Sequence, residues 1–194
     1  MININENFQM IKNQNYLGGI CMILSVLFFS LMDVLIKITH EYDVGQVMFS
    51  RALFGLIPIF FLIPKNKIRN FYKTKYKSLH WWRSAIGAVA MYAIFVGLRN
   101  LELAEVTSMA FSGPIWVVIF SILFLGEKVR MKRWIAVGLG FVGVLIISKP
   151  GFDNLNLYYI YPVIFTLGFA GVSIFIRKLT LVGEPVYLIA FYFS

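Results

Sequence analysis

Two ionisable residues, Asp33 and Lys37, stand four positions apart near the end of the first long apolar stretch of the chain. Residues at this spacing share one face of a helix, and Ser30 extends that face by about one turn. Ionisable groups inside an apolar span are costly, and they normally face a cavity or a partner. Two interpretations follow: the pair neutralises itself and fixes a helix end, or it lines the outer mouth of a substrate pathway.

Arg51 is a third charged residue within an apolar stretch, roughly a turn and a half from the start of the second one. A long side chain at this depth can still reach the interface by snorkelling. If Lys37 and Arg51 face a common cavity, they favour a carboxylate or a zwitterion through charge-assisted hydrogen bonds. Asp33 would then complement an amino group.

Polar and special residues also occur in the third and fourth apolar stretches. A proline inside a spanning helix frees a backbone carbonyl and permits a kink, which opens a cavity or provides a hinge. Pro114 is such a residue, and Ser112 has the alternative role of satisfying the freed carbonyl. The candidate substrate-pathway residues are therefore Ser30, Asp33, Lys37, Arg51, Tyr92, Ser112, Pro114 and Trp116.

Glu127 follows the end of the fourth apolar stretch and lies beside Lys128, Arg130 and Arg133. An acid among bases at the end of a span is the arrangement of an interfacial ion pair. We favour that role for Glu127, and a gate is the alternative.

The sequence contains no catalytic constellation. His40 and His80 fall in the predicted links and have no metal-ligand spacing, and Cys21 is the single cysteine. The glycines of 138–143 match a dinucleotide-binding pattern, but they lie within an apolar stretch where small residues serve helix packing. The sequence therefore predicts no enzyme, no metal site and no cofactor, and without a P-loop any transport is expected to be driven by gradients.

Composition places these residues in a membrane. The 194-residue chain is 59% hydrophobic and 14% charged, with a mean hydropathy of +0.77. Soluble domains are about half apolar and a quarter charged. A soluble globular enzyme and a disordered chain are both excluded.

The hydrophobic residues are gathered in six long stretches and one short stretch. They cover residues 17–38, 46–63, 84–98, 107–125, 134–148, 158–176 and, at the end, 185–194. We expect six spanning helices and a seventh that is cut short, in an all-α multi-helix bundle. On this interpretation the chain is a truncated part of a longer protein.

The net charge of +9 is explained by membrane topology. With a cytoplasmic N-terminus, the inner segments collect most of the 18 bases, including Lys12 and the runs 65–83 and 128–133. Only Arg99 and Lys149 fall on the outer side. This asymmetry is the positive-inside pattern.

The run 65–83 interleaves bases with aromatic residues, a pattern that also occurs in nucleic-acid binding. Because the run connects two spans on the cytoplasmic side, topology and anionic lipid headgroups explain it better. We predict a lipid bilayer as partner and no nucleic acid.

A weak internal repeat has a shift of 141 positions, which places residues 35–39 on residues 176–180. Five predicted spans separate the two copies, so the second copy would enter the membrane from the opposite side. This is the inverted-repeat arrangement of secondary transporters, whose substrate site lies near the midplane.

The stretch 104–151 carries a recognisable set of motifs. An early proline, Pro114, is followed by LGEK at 125–128. An R-x-x-x-x-x-x-G pattern then begins at Arg133, and the stretch closes with KPG. Together with SRALFG at 50–55, this resembles the EamA domain of the drug/metabolite transporter superfamily. The resemblance implies a ten-helix carrier built as an inverted repeat, and it marks Arg51, Pro114 and Glu127 as family-typical positions.

The expected organisation is a cytoplasmic tail at 1–15, a first five-helix EamA repeat at 16–151, and an incomplete inverted second repeat at 152–194. The expected function is gradient-driven transport of a small metabolite such as an amino acid, S-adenosylmethionine or a related zwitterion. A proton or sodium ion is the expected coupling ion, and the bacterial inner membrane the expected location. The alternative is a non-transporting membrane subunit or an inactive fragment of a carrier; the sequence leaves the oligomeric state open.

Overall fold

A computed structural model describes residues 4–39, 41–64, 72–126, 131–148 and 157–194, and all regular structure in these residues is helical. The α-helices are α1 (Ile4–Ile38), α2 (Val44–Leu62), α3 (Lys77–Asn100), α4 (Leu103–Ala110), α5 (Gly113–Leu125), α6 (Met131–Ser148), α7 (Ile160–Leu181) and α8 (Val186–Phe191). A 3₁₀ turn, Leu157–Tyr159, precedes α7. The predicted all-α class is confirmed.

Five segments of the described residues are long and apolar enough to cross a membrane. They are Tyr16–Ile38, Val44–Phe61, Lys77–Asn100, Leu103–Leu125 and Leu157–Leu181. The predicted span at 134–148 corresponds to α6, in which a shorter apolar segment, Trp134–Gly143, is found. Many large apolar side chains on these helices are exposed, as a bilayer-facing surface requires.

The chain divides into two units, residues 1–39 and residues 40–194. Helix α1 makes up the first unit, and it begins at Ile4, within the predicted tail. In the second unit α7 packs extensively on α3 and also contacts α5.

Small residues permit the close approach of α3 and α7. A Cβ built on Gly168 of α7 would lie 2.6 Å from the Cβ of Ala90 on α3. A Cβ built on Gly113, at the start of α5, would lie 3.2 Å from Cδ1 of Phe169 on α7. Membrane helices that lack a hydrophobic force between them associate through such small-residue contacts.

The predicted fourth span, 107–125, is two helices rather than one. A turn at Phe111–Ser112 separates α4 from α5, and Pro114 lies in the first turn of α5. Proline is tolerated there because the first N–H groups of a helix have no partner within the helix. The predicted kink is therefore a break.

The third span begins earlier than predicted, at Lys77 instead of residue 84. The placement of His80 in a link is wrong, since it lies in α3 and is fully buried. Arg83, assigned to the cytoplasmic basic run, is also buried within α3. Hydropathy missed this extension because His80 and Arg83 are polar. Their burial depends on contacts with residues of other elements, which hydropathy does not show.

We predict that Gly168→Ala weakens the contact between α3 and α7. The new methyl group would overlap with Ala90, so the free energy of unfolding should fall by about 1–3 kcal/mol. Thermal unfolding of the purified protein, followed by tryptophan fluorescence, measures this.

Gly171→Ala on the same helix is the matched control, because its Cβ would meet Ile86 at an ordinary 3.5 Å. Equal unfolding midpoints for the two variants would contradict the prediction.

Candidate functional site

A slot on one face of α3 receives an aromatic ring from the residues that follow α8. Positions 83, 87 and 91 are four apart, so they lie on the same helical face. At the central position, a Cβ on Gly87 would come within 2.5 Å of Cε2 of Phe193. A side chain at position 87 would therefore require the Phe193 ring to move from its present position.

Two arginines flank this ring. The guanidinium carbon of Arg83 lies 4.3 Å from the centroid of Phe193, and that of Arg51 on α2 lies 5.7 Å from the same centroid. The two guanidinium carbons are thus no more than about 10 Å apart, the sum of these distances. We call Arg51, Arg83 and Phe193 the arginine cluster.

The polar contacts of the two arginines are few. Arg83 is 7% exposed, and its Nη1 donates to the carbonyl oxygen of Ile189 at 3.2 Å. Its Nε is buried with no hydrogen-bond partner among the described residues. Nη1 of Arg51, which is partly buried, contacts the sulfur of Met91. In the part of the chain that the structure describes, neither guanidinium has a carboxylate within 4.0 Å.

A second polar group ties the start of α3 to the link between α7 and α8. Thr74 Oγ1 donates to Glu184 Oε1 at 2.6 Å, and His80 Nε2 lies 3.7 Å from Glu184 Oε2. We call Thr74, His80 and Glu184 the Glu184 latch. Its carboxylate joins two segments that are more than a hundred positions apart in the sequence.

Tyr192 extends the latch toward the arginine cluster. Its ring stacks on His80 with centroids 4.5 Å apart, and its hydroxyl donates to the carbonyl oxygen of Tyr72. Ser84 Oγ in turn donates to the carbonyl oxygen of Tyr192 at 2.6 Å. An open groove of about 440 Å³ lies beside these residues and is lined by Lys77, Ser78, His80, Trp81, Ser84 and Tyr192.

The residues proposed from the sequence are distributed over several elements. Ser30, Asp33 and Lys37 lie within α1 on one helical face, with Lys37 in its last turn. Arg51 belongs to the arginine cluster, whereas Tyr92 lies on α3 and is 49% exposed. Glu127 lies outside the described residues.

At the α4–α5 break the predicted residues make local contacts. Ser112 Oγ donates to the carbonyl oxygen of Met109 at 2.7 Å, and not to that of residue 110, four before Pro114. The ring of Trp116 meets that of Phe120 on α5 at 6.5 Å. Ser112 therefore supports the turn between the two helices.

Sequence reasoning missed His80, Arg83, Glu184 and Phe193. Arg83 was counted as one of many cytoplasmic bases, although Gly87, one turn later on the same face, is the residue that opens the slot. Among the described residues, no group of three His, Cys, Asp or Glu side chains can hold a metal ion.

Residues 16–149 match the sequence model of the EamA-like transporter family. The chain belongs to this family. The predicted resemblance is thereby confirmed, and the family is one of transporters and not of enzymes.

This chain is similar to three bacterial proteins that differ in the compound they are named for. It is 27% identical to an S-adenosylmethionine uptake transporter of Rickettsia prowazekii, over 92% of this chain and 61% of the relative. It is 29% identical to a riboflavin transporter of Brucella anthropi, over 61% of this chain and 42% of the relative. It is 26% identical to a pseudopaline exporter of Pseudomonas aeruginosa, over 91% of this chain and 62% of the relative.

This EamA-family chain matches no more than about three fifths of the length of these relatives. No solved structure matches it.

We predict that Glu184→Ala loosens the C-terminal part of this EamA-family chain. The substitution removes the acceptor of Thr74 and the carboxylate beside the buried His80, so the free energy of unfolding should fall by about 1–3 kcal/mol. Hydrogen exchange should accelerate at the start of α3 and in α8, which the latch joins.

Glu41→Ala provides the control, because Glu41 is an exposed acid. Unchanged exchange at the start of α3 and in α8 of the Glu184 variant would show that the latch does not hold these segments.

Proposed function

We propose that this protein is a gradient-driven transmembrane carrier of a small metabolite. The observation that carries the proposal is the EamA-family match over residues 16–149. Apolar spans and ionisable side chains buried within one of them support it, because such groups in a membrane commonly mark a substrate or ion pathway.

We propose that residues 16–151 form one five-helix repeat, and that residues 152–194 begin an inverted second repeat. The ends of α1 and α7 support this arrangement. Lys37 lies in the last turn of α1 and Lys178 in the last turn of α7, and the two are related by the 141-residue shift. Both lysines thus lie in the last turns of the helices that the proposed repeat relates, as an internal repeat predicts.

The proposed location is the bacterial inner membrane with a cytoplasmic N-terminus. The relatives named above are bacterial, and the distribution of bases follows the positive-inside rule. A proton or a sodium ion is the proposed coupling ion.

The proposed substrate is an amino acid, S-adenosylmethionine or a related zwitterion. Arg51 supports this class because its guanidinium is partly buried in a span with no carboxylate partner among the described residues. Lys37 and Asp33, on one face of α1, are also proposed pathway residues, Lys37 for a carboxylate group and Asp33 for an amino group. Ser30, Tyr92, Ser112, Pro114 and Trp116 are the other proposed pathway residues, and Glu127 the proposed interfacial ion pair or gate.

Uptake by vesicles containing the complete protein tests the function. We expect imposed proton or sodium gradients to drive accumulation of radiolabelled S-adenosylmethionine or an amino acid. Arg51→Gln and Lys37→Gln should each reduce uptake at least about tenfold, since each removes a charge-assisted hydrogen bond.

Lys75→Gln is the control, because Lys75 is exposed in the turn before α3. Normal uptake by both the Arg51 and Lys37 variants would contradict the proposed substrate class. If the complete protein neither takes up nor exports S-adenosylmethionine or any amino acid tested, the proposed transport function itself is contradicted.

A further inference from the structure

We infer that Arg51 and Arg83 form a binding site for a carboxylate anion, and that the ring of Phe193 occupies the anion position in the present conformation. The inference rests on the proposed transport function, and it adds to it a second arginine and a residue that competes with the substrate.

The first support is the electrostatic state of Arg83. Its side chain is more than nine-tenths buried, and its Nε has no partner among the described residues. A charged group removed from water needs an opposite charge and a full set of hydrogen bonds. The contacts of Arg83 with the Ile189 carbonyl and the Phe193 ring are an incomplete replacement.

The second support is the arrangement along α3. Arg83 and Met91 lie one turn below and one turn above Gly87, and Arg51 reaches Met91 from α2. The slot over Gly87 is thus bounded by one guanidinium at each end. A carboxylate placed there would be within the span of two cations, each of which can donate in a planar, bidentate manner.

The third support is the nature of the group that fills the slot. The face of an aromatic ring carries a partial negative charge, so Phe193 attracts both guanidinium groups without neutralising either. A charge-assisted hydrogen bond to a carboxylate is stronger than this attraction. The ring is therefore a displaceable occupant of the slot.

A purely structural role for Arg83 makes a different prediction. Through Ile189, Arg83 would then hold α8 against α3. Its loss would lower stability by the same amount whether or not an anion is present. Dependence of stability on the anion separates the two roles.

The test is anion-dependent thermal stability of the complete protein in nanodiscs of phosphatidylcholine, which carries no net charge. Sodium acetate and sodium succinate are titrated at constant ionic strength against chloride, with acetamide and succinamide as uncharged controls. We expect a saturable rise of the unfolding midpoint with the two carboxylates and none with the amides.

Arg51→Gln and Arg83→Gln should each abolish the saturable rise, whereas Arg177→Gln, at an exposed arginine of α7, should keep it. Phe193→Leu keeps the bulk of the residue but removes the aromatic face, so it should tighten carboxylate binding on the order of 3- to 10-fold. This gain keeps the inference testable if Arg83→Gln does not fold.

Equal effects of carboxylates and amides would overturn the inference, as would a normal response of Arg51→Gln or unchanged carboxylate binding in Phe193→Leu. A rise that requires phosphatidylglycerol in the nanodisc, and no added carboxylate, would assign the arginines to a lipid headgroup and overturn it as well. If carboxylates bind to the complete protein but no substrate is taken up, only the proposed transport function is contradicted. If substrate is taken up but carboxylates do not bind at the two arginines, only the present inference is contradicted.

Discussion

The close contact of α7 with α3 is the constraint on which the described structure of residues 40–194 depends. It is possible only because Gly168 presents no side chain to Ala90. In a bilayer the surrounding lipid is as apolar as the helices, so association relies on close packing of complementary surfaces. One glycine on α7 therefore determines how near the two backbones lie.

Helix α3 has a second small-residue contact at Gly87, about one turn before Ala90. Gly87 accepts the ring of Phe193 as Gly168 accepts Ala90, so both the α7 packing and the aromatic insertion depend on missing side chains. Residues beside these glycines, Arg83 among them, are then removed from the surrounding solvent or lipid. The polar chemistry of this region is a consequence of helix packing.

The Glu184 latch and the arginine cluster meet at the end of the chain that follows α7. Tyr192 stacks on His80 and its neighbour Phe193 lies on Arg83. A movement of this segment would alter both groups together. Under the proposed carboxylate binding, displacement of the Phe193 ring would therefore also disturb the contact between Tyr192 and His80.

The sequence by itself determined the membrane class, the family and the approximate position of the spans. These properties depend on local hydropathy, on loop charge and on motifs that are continuous in the chain, such as the segment from Pro114 to the closing KPG. It also drew attention to Arg51 as a charge within a span.

Only the tertiary structure decided that α4 and α5 are separate helices, that His80 and Arg83 are buried, and that Arg51 and Arg83 face one aromatic ring. The bond from Arg83 to Ile189 joins residues 106 positions apart, and that from Thr74 to Glu184 joins residues 110 positions apart. Such pairs depend on which faces of distant helices pack together. The absence of a side chain at Gly87 and Gly168 allows this packing.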